Sequence, residues 1–445
     1  MMKKWLSILL CLTLALGLCA CAAVDKIQNV DLPPLPEITD EPESADVTEP
    51  PAVENTTEIE AAPEPVQPAV DQSAANRIVV NYVTTSYERF DPPSGLQRIL
   101  TFSYVTPKIR IEGRDEAAAK INEYLAMLDE TYYTGNDYGD GTAWGFNGIL
   151  EAAEDNYAYA VTMKDRSLPL EYSASRSARV ARLDDRLINI VFEEYEYTGG
   201  AHGNYWDKAY VFDSATGERL RLEDLNEDQE SFKEAVVAAM LRLAGTDTEY
   251  YQEHISPDFI ENEDYEAAFG ELLRDGSWYF DNDGLVLFST LYELAPYAAG
   301  ITEFHIPYEE LEGLIPEDCF PTERKGAGEF TVIPLEDVEN GSVELLDRVT
   351  LNEGDELCLL ANGTIYDVYL SEVTYADRFY EKDQLWASSY MSDGALQIST
   401  TVPEGIPNLM ISYTTADGQR VGKLLSQSGL DGSYLLVDDQ IEVLG

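Results

Sequence analysis

The sequence predicts an α+β domain, in which an antiparallel sheet is packed by helices, followed by a small all-β, sandwich-like C-terminal domain. Three observations support this prediction. Several short runs alternate apolar and polar residues, which is typical of strands with one buried face. Between these runs, apolar residues recur at helical spacing. After residue 327 the helical spacing ends, and Asn-Gly and Asp-Gly pairs separate short apolar runs.

The first 20 residues have the pattern of a lipoprotein signal peptide. Lys3 and Lys4 precede an apolar run over residues 5–18, and a small residue stands directly before Cys21. The tetrapeptide that ends in Cys21 resembles the bacterial lipobox, in which the peptidase cleaves before an acylated cysteine. We expect Cys21 to carry lipid and to hold the protein on the extracytoplasmic face of the cell membrane. A transmembrane anchor is the alternative, although the apolar run is short for a span.

Residues 21–76 are predicted to form a disordered acidic stalk that begins at the lipidated cysteine. The segment is rich in Pro, Glu, Asp, Ala and Val and contains no aromatic residue. Prolines remove backbone donors and like charges repel, so the chain stays extended. We expect this stalk to hold the folded part away from the lipid.

The α+β domain is predicted over residues 77–320. It opens with strands at 78–83, 100–105 and 109–111, and a helix then presents Ala118, Ile121, Leu125, Leu128 and Tyr132 on one stripe. Residues 133–148 are glycine-rich and aromatic, and we predict an irregular loop there.

The second half of this domain is predicted to begin with a β-hairpin. Its strands cover residues 170–183 and 187–197 and meet at Asp184 and Asp185. Two helices follow, one with Phe232, Val236, Met240 and Leu243 on one stripe and one at 264–273. Strand signals flank Asp281–Gly284, where a tight hairpin turn and a calcium site are the alternatives.

The C-terminal domain is predicted over residues 327–445. Turn pairs such as Asn340-Gly341, Asn362-Gly363 and Asp393-Gly394 punctuate its short apolar runs. Such pairs admit positive φ at low cost, so they favour frequent reversals between strands. Of the five cysteines, Cys319 and Cys358 lie in the two predicted domains, and a disulfide between them is one of two alternatives, the other being free thiols.

The charge balance excludes one class of partner. The chain has 83 acidic and 29 basic residues, a formal net charge of −54. Nucleic-acid binding needs clustered Lys and Arg, so we expect no nucleic-acid partner. The acidic excess favours cationic partners, although solubility alone also explains such a charge.

Known catalytic motifs do not occur in the sequence. Its three histidines form no His-Glu-x-x-His pair, and there is no Cys-x-x-Cys, Gly-x-Ser-x-Gly or phosphate-loop pattern. We therefore predict a protein without enzymatic activity, cofactor or metal site. Pairs among the many carboxylates leave glycan chemistry open as the alternative.

One dense constellation follows the predicted hairpin. It contains three glycines within five positions, a histidine among them, and tyrosines on both sides, and such a backbone favours glycine. A ligand loop and a structural crossover are the two interpretations, and the second is favoured. The residues concerned are Tyr195, Tyr197, Gly199, Gly200, His202, Gly203 and Tyr205.

This Tyr-x-Tyr-x-Gly-Gly-Ala-His-Gly run resembles the signature of an extracellular domain known from two kinds of protein. One is the lysozyme-sensing anti-sigma factor of bacilli, and the other is the N-terminal part of a peptidoglycan deacetylase. Further matches at Tyr104–Pro107, Ala215–Gly217, Leu294–Gly300 and Ile306–Tyr308 extend the resemblance over about residues 77–315. The resemblance implies an α+β fold and, from the sensor, direct binding of lysozyme.

Two departures limit what the resemblance implies. The sensor has a cytoplasmic sigma-binding segment, for which this sequence offers no more than Met1 to Ser7. The metal-dependent domain of the deacetylase has no counterpart in the sequence. The leading hypothesis is therefore an envelope protein that binds a cationic extracellular protein such as lysozyme, or peptidoglycan. A cell-wall glycan-modifying enzyme and a passive envelope scaffold are the alternatives.

Overall fold

The structure is a computed structural model. It describes residues 76–92, 94–135, 145–163, 171–246, 248–322, 328–376, 378–402, 406–415, 418–427, 434–438 and 441–442. The predicted signal peptide (1–20), Cys21 and the predicted stalk up to residue 75 lie outside the described residues. None of the helices in the described residues is long and apolar enough to cross a membrane.

The described residues form six α-helices and 19 strands, with short 3₁₀ turns between them. The helices are α1 (Asp115–Thr134), α2 (Gly145–Met163), α3 (Gln229–Thr246), α4 (Thr248–His254), α5 (Tyr265–Gly270) and α6 (Leu335–Glu339). The strands of the predicted α+β domain are β1 (Ile78–Phe90), β2 (Arg98–Ile111), β3 (Tyr172–Leu183), β4 (Leu187–Tyr197), β5 (Asn204–Asp213), β6 (Arg219–Leu220), β7 (Trp278–Phe280), β8 (Gly284–Phe288) and β9 (Glu303–Pro307). Those of the C-terminal domain are β10 (Glu329–Ile333), β11 (Leu345–Thr350), β12 (Asp355–Asn362), β13 (Thr364–Tyr375), β14 (Phe379–Ser392), β15 (Ala395–Thr400), β16 (Leu409–Thr414), β17 (Arg420–Gln427), β18 (Tyr434–Val437) and β19 (Ile441–Glu442).

One sheet of twelve strands organises the molecule. Eleven of its strands follow the order β18-β17-β16-β13-β14-β1-β2-β3-β4-β5-β6, and β19 pairs with β14. Most neighbours are antiparallel, whereas β2 and β3 run parallel. A four-stranded sheet, β10-β12-β15-β11, and a three-stranded sheet, β7-β8-β9, complete the structure. The α+β fold with an all-β C-terminal region is thus as predicted.

The predicted hairpin of β3 and β4 is confirmed, including its turn. Asp184 Oδ1 accepts hydrogen bonds from the backbone N–H groups of Leu187 at 2.7 Å and Arg186 at 2.9 Å. This is the turn chemistry that favours Asp between two strands, because its carboxylate satisfies the free amides of the reversal. The fully buried Arg182 bonds Asp184 Oδ2 at 2.8 Å and the Cys319 carbonyl oxygen at 2.6 Å, so the turn is tied to the core.

The predicted irregular loop at 133–148 is wrong at both ends. Helix α1 continues to Thr134, and helix α2 begins at Gly145 and runs to Met163; residues 136–144 lie outside the described residues. The buried residues of α2 are Gly145, Ile149, Ala153 and Ala160, of which only Ile149 has a large apolar side chain. A stripe made largely of alanine gives a weak hydrophobic signal, although it allows the helix to pack closely on β2.

Three large hydrophobic cores lie against the large sheet, besides the smaller one under α2. One face packs against α1, and part of the other face packs against α3 and the three-stranded sheet. The third core lies between the four-stranded sheet and strands β13, β14 and β16, where Leu359 and Ile398 of one sheet meet Trp386 and Ile411 of the other. This two-sheet packing is the predicted sandwich.

Strand β1 joins the two predicted domains. It pairs with β2 along its whole length and with β14 through Val79, Val80 and Asn81. Because successive side chains of a strand point to opposite faces, Val79 enters the sandwich core whereas Ile78 and Val80 enter the core under α1. The sequence predicts a boundary at 320–327 but does not predict that the sheet continues across it.

The disulfide considered from the sequence is not formed. Cys319 and Cys358 are both free thiols and both buried. Cys319 belongs to the core beneath α3, whereas Cys358 lies on β12 between Ile333 and Gln397. The two thiols are held in separate packing units, so no bridge can close between them.

Candidate functional site

The glycine-rich loop selected from the sequence connects strands β4 and β5. These strands pair up to Glu196 opposite Asn204, and Tyr195 lies opposite Tyr205. Gly199 and Gly200 have φ of 104° and 103°, a region that other residues rarely adopt. At Gly203 a Cβ atom would lie 2.5 Å from the ring of Tyr195, so this position has no room for a side chain. Backbone conformation and close packing therefore account for the glycines of this loop.

His202 is held by the segment that precedes β9. Its ring stacks on Tyr297 with 3.6 Å between the ring centroids and 21° between the planes. Nδ1 lies 3.0 Å from the carbonyl oxygen of Gly203, and Nε2 lies 3.4 Å from the hydroxyl of Tyr292. The hydroxyl of Tyr297 donates to the same Gly203 carbonyl at 2.7 Å. These contacts attach the loop between β4 and β5 to residues 292–300.

The structure brings only part of the predicted constellation to a concave surface. Tyr195 and Tyr205 line a groove of about 1000 Å³. His202 and the three loop glycines are outside that lining, as is Tyr197, whose hydroxyl donates to the Gly200 carbonyl at 3.3 Å. Of the predicted constellation, the two tyrosines therefore line the groove, whereas the exposed loop tip lies outside it.

The floor of this groove is the face of strands β1 to β5 that is left uncovered by the cores. Cross-strand pairing places its side chains in rows, since residues opposite each other in a sheet share a face. One row runs Ser103, Ser175, Tyr195 and Tyr205 through three strand pairs. The neighbouring row runs Ser177, Glu193 and Asp207. Small serine side chains therefore leave space above β2 and β3, while tyrosines and carboxylates lie on β4 and β5.

Two walls enclose this floor. One consists of Ile301 and Glu303, at the start of β9. The other comes from the C-terminal domain, mainly from strands β13 and β14, and its lining residues are Thr350, Leu351, Glu372, Lys382, Asp383, Gln384 and Leu385. The groove thus lies between the two regions that the sequence predicts as separate domains.

The lining of the groove is strongly acidic. Its carboxylates are Glu193, Glu194, Asp207, Glu303, Glu372 and Asp383, whereas its basic residues are Arg176 and Lys382. Arg176 and Glu194 have side chains that are only 2% and 8% exposed and pair with Asp129 and Lys208, so neither offers much charge to solvent. Five carboxylates and Lys382 remain. The groove therefore presents a negative surface that matches the charge of the whole chain.

Asp207 has the most perturbed carboxyl group in the groove. Burial raises the pKa of Asp207 to about 7, and the charge of Glu193 adds to the shift, which Arg179 partly opposes. Glu193 is the direct cross-strand partner of Asp207, and like charges at that position disfavour a second ionised group. Asp207 therefore changes its protonation state near neutral pH.

Glu303 stays ionised because a histidine cation lies beside it. His305 Nδ1 lies 3.5 Å from Asp281, and Nε2 lies 3.4 Å from Glu303. Hydrogen bonds with Asp281 and Glu303 raise the pKa of His305 to about 10. Burial is the largest influence on the pKa of Glu303 and would raise it. The hydrogen bond with His305 and the charges of His305 and Arg179 together outweigh burial, so the pKa is lowered.

The tight hairpin turn predicted at Asp281–Gly284 is present between β7 and β8. Asp281 Oδ1 accepts hydrogen bonds from the backbone of Asp283 at 2.8 Å and Gly284 at 2.7 Å. Within the described part of the chain, no group of three or more His, Cys, Asp and Glu side chains is arranged to hold a metal ion.

Sequence reasoning missed the acidic residues of the groove and its C-terminal wall. Glu193 and Asp207 share the strand face of Tyr195 and Tyr205 by simple alternation, so the hairpin register contained that signal. Lys382 and Gln384 follow Tyr205 by almost 180 residues, and no local pattern connects them to it.

Two segments of the chain match known protein families. Residues 97–205 match the family model described as Deacetylase PdaC, and residues 223–309 match the one described as Protein of unknown function (DUF3298). A comparison with curated proteins found no match.

Two crystal structures of DUF3298 family proteins are similar to the chain. One, from Bacteroides fragilis NCTC 9343, shares 21% identity, with 54% of this chain and 94% of that chain covered and a TM-score of 0.40. Another, from Pseudomonas aeruginosa PAO1, shares 20% identity, with 55% and 98% covered and a TM-score of 0.36. The resemblance predicted from the tyrosine and glycine motif is thus confirmed, because the chain carries a segment similar to the PdaC family followed by a segment similar to DUF3298.

Proposed function

We propose that this protein is a non-enzymatic, lipid-anchored envelope protein whose groove binds an extracellular cationic protein such as a lysozyme. The observation that carries the proposal is the groove of about 1000 Å³ with six carboxylates in its lining. A chain of net charge −54 attracts cationic proteins at long range, and such steering raises the rate of encounter. The pair of family matches suggests an envelope-associated protein, in agreement with this proposal.

A basic protein suits the groove better than peptidoglycan does. Tyr195 and Tyr205 bring aromatic rings to the lining of the groove, and sugars can stack on such rings. Peptidoglycan also carries carboxylates, however, and these are repelled by the acidic residues beside the tyrosines. Guanidinium and ammonium groups instead gain charge-assisted hydrogen bonds from the same carboxylates. Peptidoglycan is therefore kept as the second ligand in the test.

Isothermal titration of the full-length chain in detergent with hen lysozyme tests the proposal. At about 0.15 M salt we expect saturable binding that weakens at about 0.5 M salt, because exposed charges are screened. Absence of heat at tens of micromolar protein would contradict the lysozyme proposal. Co-sedimentation with purified peptidoglycan provides the second arm, and binding there alone would assign the groove to the glycan.

The lipid anchor is tested separately at Cys21. We expect the wild-type chain to stay with the membrane fraction of the producing bacterium and Cys21→Ser to lose its acyl group. Mass spectrometry of the N-terminal peptide measures the lipid directly. An unmodified Cys21 in the wild-type protein would contradict the anchor.

The loop tip is assigned a structural role in this proposal. His202 stacks on Tyr297 and is absent from the groove lining. His202→Ala is expected to lower the melting temperature while leaving the affinity for lysozyme within twofold, since no ligand contact is removed. The opposite pattern, unchanged melting with a large loss of affinity, would place the loop in the binding surface.

One observation favours a second candidate function, an enzyme acting on cell-wall glycan. Asp207 has a pKa of about 7, caused mainly by burial, and lies opposite Glu193 in a groove. Such a pair is a candidate for acid–base chemistry. Incubation of the chain with peptidoglycan, followed by mass spectrometry of the muropeptides, tests this candidate. Product formation that is abolished in Asp207→Asn would favour the enzyme.

A further inference from the structure

The C-terminal wall of the groove lies outside both family matches. Those matches end at residues 205 and 309, whereas the wall is built by the β13–β14 pair and the end of β11. The matched segments therefore provide most of the floor and one wall. Strand β1 and Asp207, outside both matches, complete the floor, and the C-terminal domain provides the other wall. This arrangement raises the question of what the added wall contributes.

Next to the β1–β14 pairing, a buried glutamine also fixes the wall to the floor. Gln384 is 4% exposed, and its Oε1 accepts hydrogen bonds from the hydroxyl of Tyr82 and the backbone N–H of Val180, both at 2.8 Å. Its Nε2 donates to the carbonyl of Val180 at 3.1 Å. Gln384 thus makes with the backbone of β3 the hydrogen bonds that a neighbouring strand would make. These hydrogen bonds fix the position of β14 relative to the floor. Its neighbours Lys382 and Asp383 are thereby placed at the groove.

Lys382 lies between two carboxylates of the same wall. Its Nζ is 3.1 Å from Glu372 Oε2 and 3.1 Å from Asp383 Oδ2, and its side chain is 53% exposed. These hydrogen bonds raise the pKa of Lys382, so it is a cation at neutral pH. With Arg176 buried beneath the floor, Lys382 is the ammonium that the described lining turns to solvent.

We infer that Lys382 is an intramolecular competitor of the partner. It occupies the site on the β13–β14 wall to which a basic side chain of the partner binds. This role rests on the proposed function, and it assigns to Lys382 the control of the groove's affinity for cationic ligands. Glu372 and Asp383 are held by Lys382 in the free protein, and a lysine or arginine of the partner competes with Lys382 for them. Lys382 thus lowers the affinity of the groove for cationic ligands and raises the charge density that a partner needs.

The test compares decalysine binding by the full-length chain and by single variants. We expect Lys382→Gln to bind decalysine about three- to tenfold more tightly, since two exposed carboxylates are freed and each such pair contributes modestly. Lys423→Gln is the matched control: it removes the same charge from the C-terminal domain, where Lys423 pairs with Asp438 at 2.8 Å outside the groove lining. Its affinity is expected to stay within twofold of wild type, as is that of Lys382→Arg, which keeps the charge.

The outcomes separate this inference from the proposed partner. If decalysine binds both Gln variants equally more tightly than wild type, the effect is one of net charge and the inference is overturned. An unchanged affinity of Lys382→Gln for decalysine would overturn it too. An absence of decalysine binding in every variant would overturn it as well. If the decalysine series behaves as expected while hen lysozyme does not bind, lysozyme is the wrong partner and the role of Lys382 stands.

Discussion

Replacing Gly203 by alanine tests how tightly the loop between β4 and β5 is packed. The new methyl group would lie 2.5 Å from Cε2, Cζ and Oη of Tyr195. The backbone of Gly203 is not in the positive-φ region, so the strain is steric and is confined to that ring. Because Tyr195 is 40% exposed, the ring can rotate outward in part. We expect a loss of about 1–2 kcal/mol in the free energy of unfolding, in the lower half of the range for overpacking.

The assay is urea unfolding in a double-mutant cycle with Tyr195→Ala. In that background the ring is gone, so Gly203→Ala is expected to destabilise by less than about 0.5 kcal/mol. Gly200→Ala is the control, because its φ of 103° gives backbone strain and no atom lies within 4 Å of the new methyl group. Its effect should be the same in both backgrounds. Equal destabilisation by Gly203→Ala with and without Tyr195 would refute the steric reasoning.

Three further predictions follow from buried groups. Asp207→Asn should stabilise the fold at pH 8 by about 1–3 kcal/mol, as measured by urea unfolding. The pKa of the Asp207 carboxyl is raised to about 7 in the folded protein, so its contribution to stability is lost as the pH rises through that value. The gain from the substitution should vanish towards about pH 4. Arg182→Ala should destabilise by about 3–5 kcal/mol, since buried Asp184 loses its cation; a loss under 1 kcal/mol in thermal unfolding would contradict this. Burial raises the pKa of Cys319 to about 11, so iodoacetamide should modify Cys319 and Cys358 only in urea, as read by peptide mapping.

Local patterns predicted the floor of the groove better than its walls. The alternation in β4 and the Asp184 turn determine the register of β3 and β4, which sets Ser175 opposite Tyr195. The pairing of Tyr195 with Tyr205 depends instead on the loop between β4 and β5. Helix α2 was missed because its buried face is mostly alanine, and its packing depends on the aromatic side chains of β2 and α1 around it. Propensity and period describe one segment at a time, so they could not supply that context.

The wall formed by β14 depends on contacts that no short-range rule contains. Gln384 reaches Val180 across 204 positions of the chain, and β1 pairs with β14 across about 300. Gln384 follows three charged residues on β14, and nothing in that stretch of sequence indicates that it is buried or what it contacts. The composition nevertheless gave the correct sign of the groove charge, because a chain with 83 acidic residues places carboxylates on most of its exposed surfaces.

The most direct test of the central proposal is the affinity of hen lysozyme for a variant with two groove carboxylates neutralised. Glu193→Gln with Asp383→Asn removes one charge from the floor and one from the C-terminal wall. Glu230→Gln with Glu234→Gln removes the same charge from the exposed face of α3. We predict that titration calorimetry at about 0.15 M salt gives at least about tenfold weaker binding for the groove variant and less than twofold for the helix variant. Equal losses in the two variants would show that the net charge, and not the groove, attracts the partner.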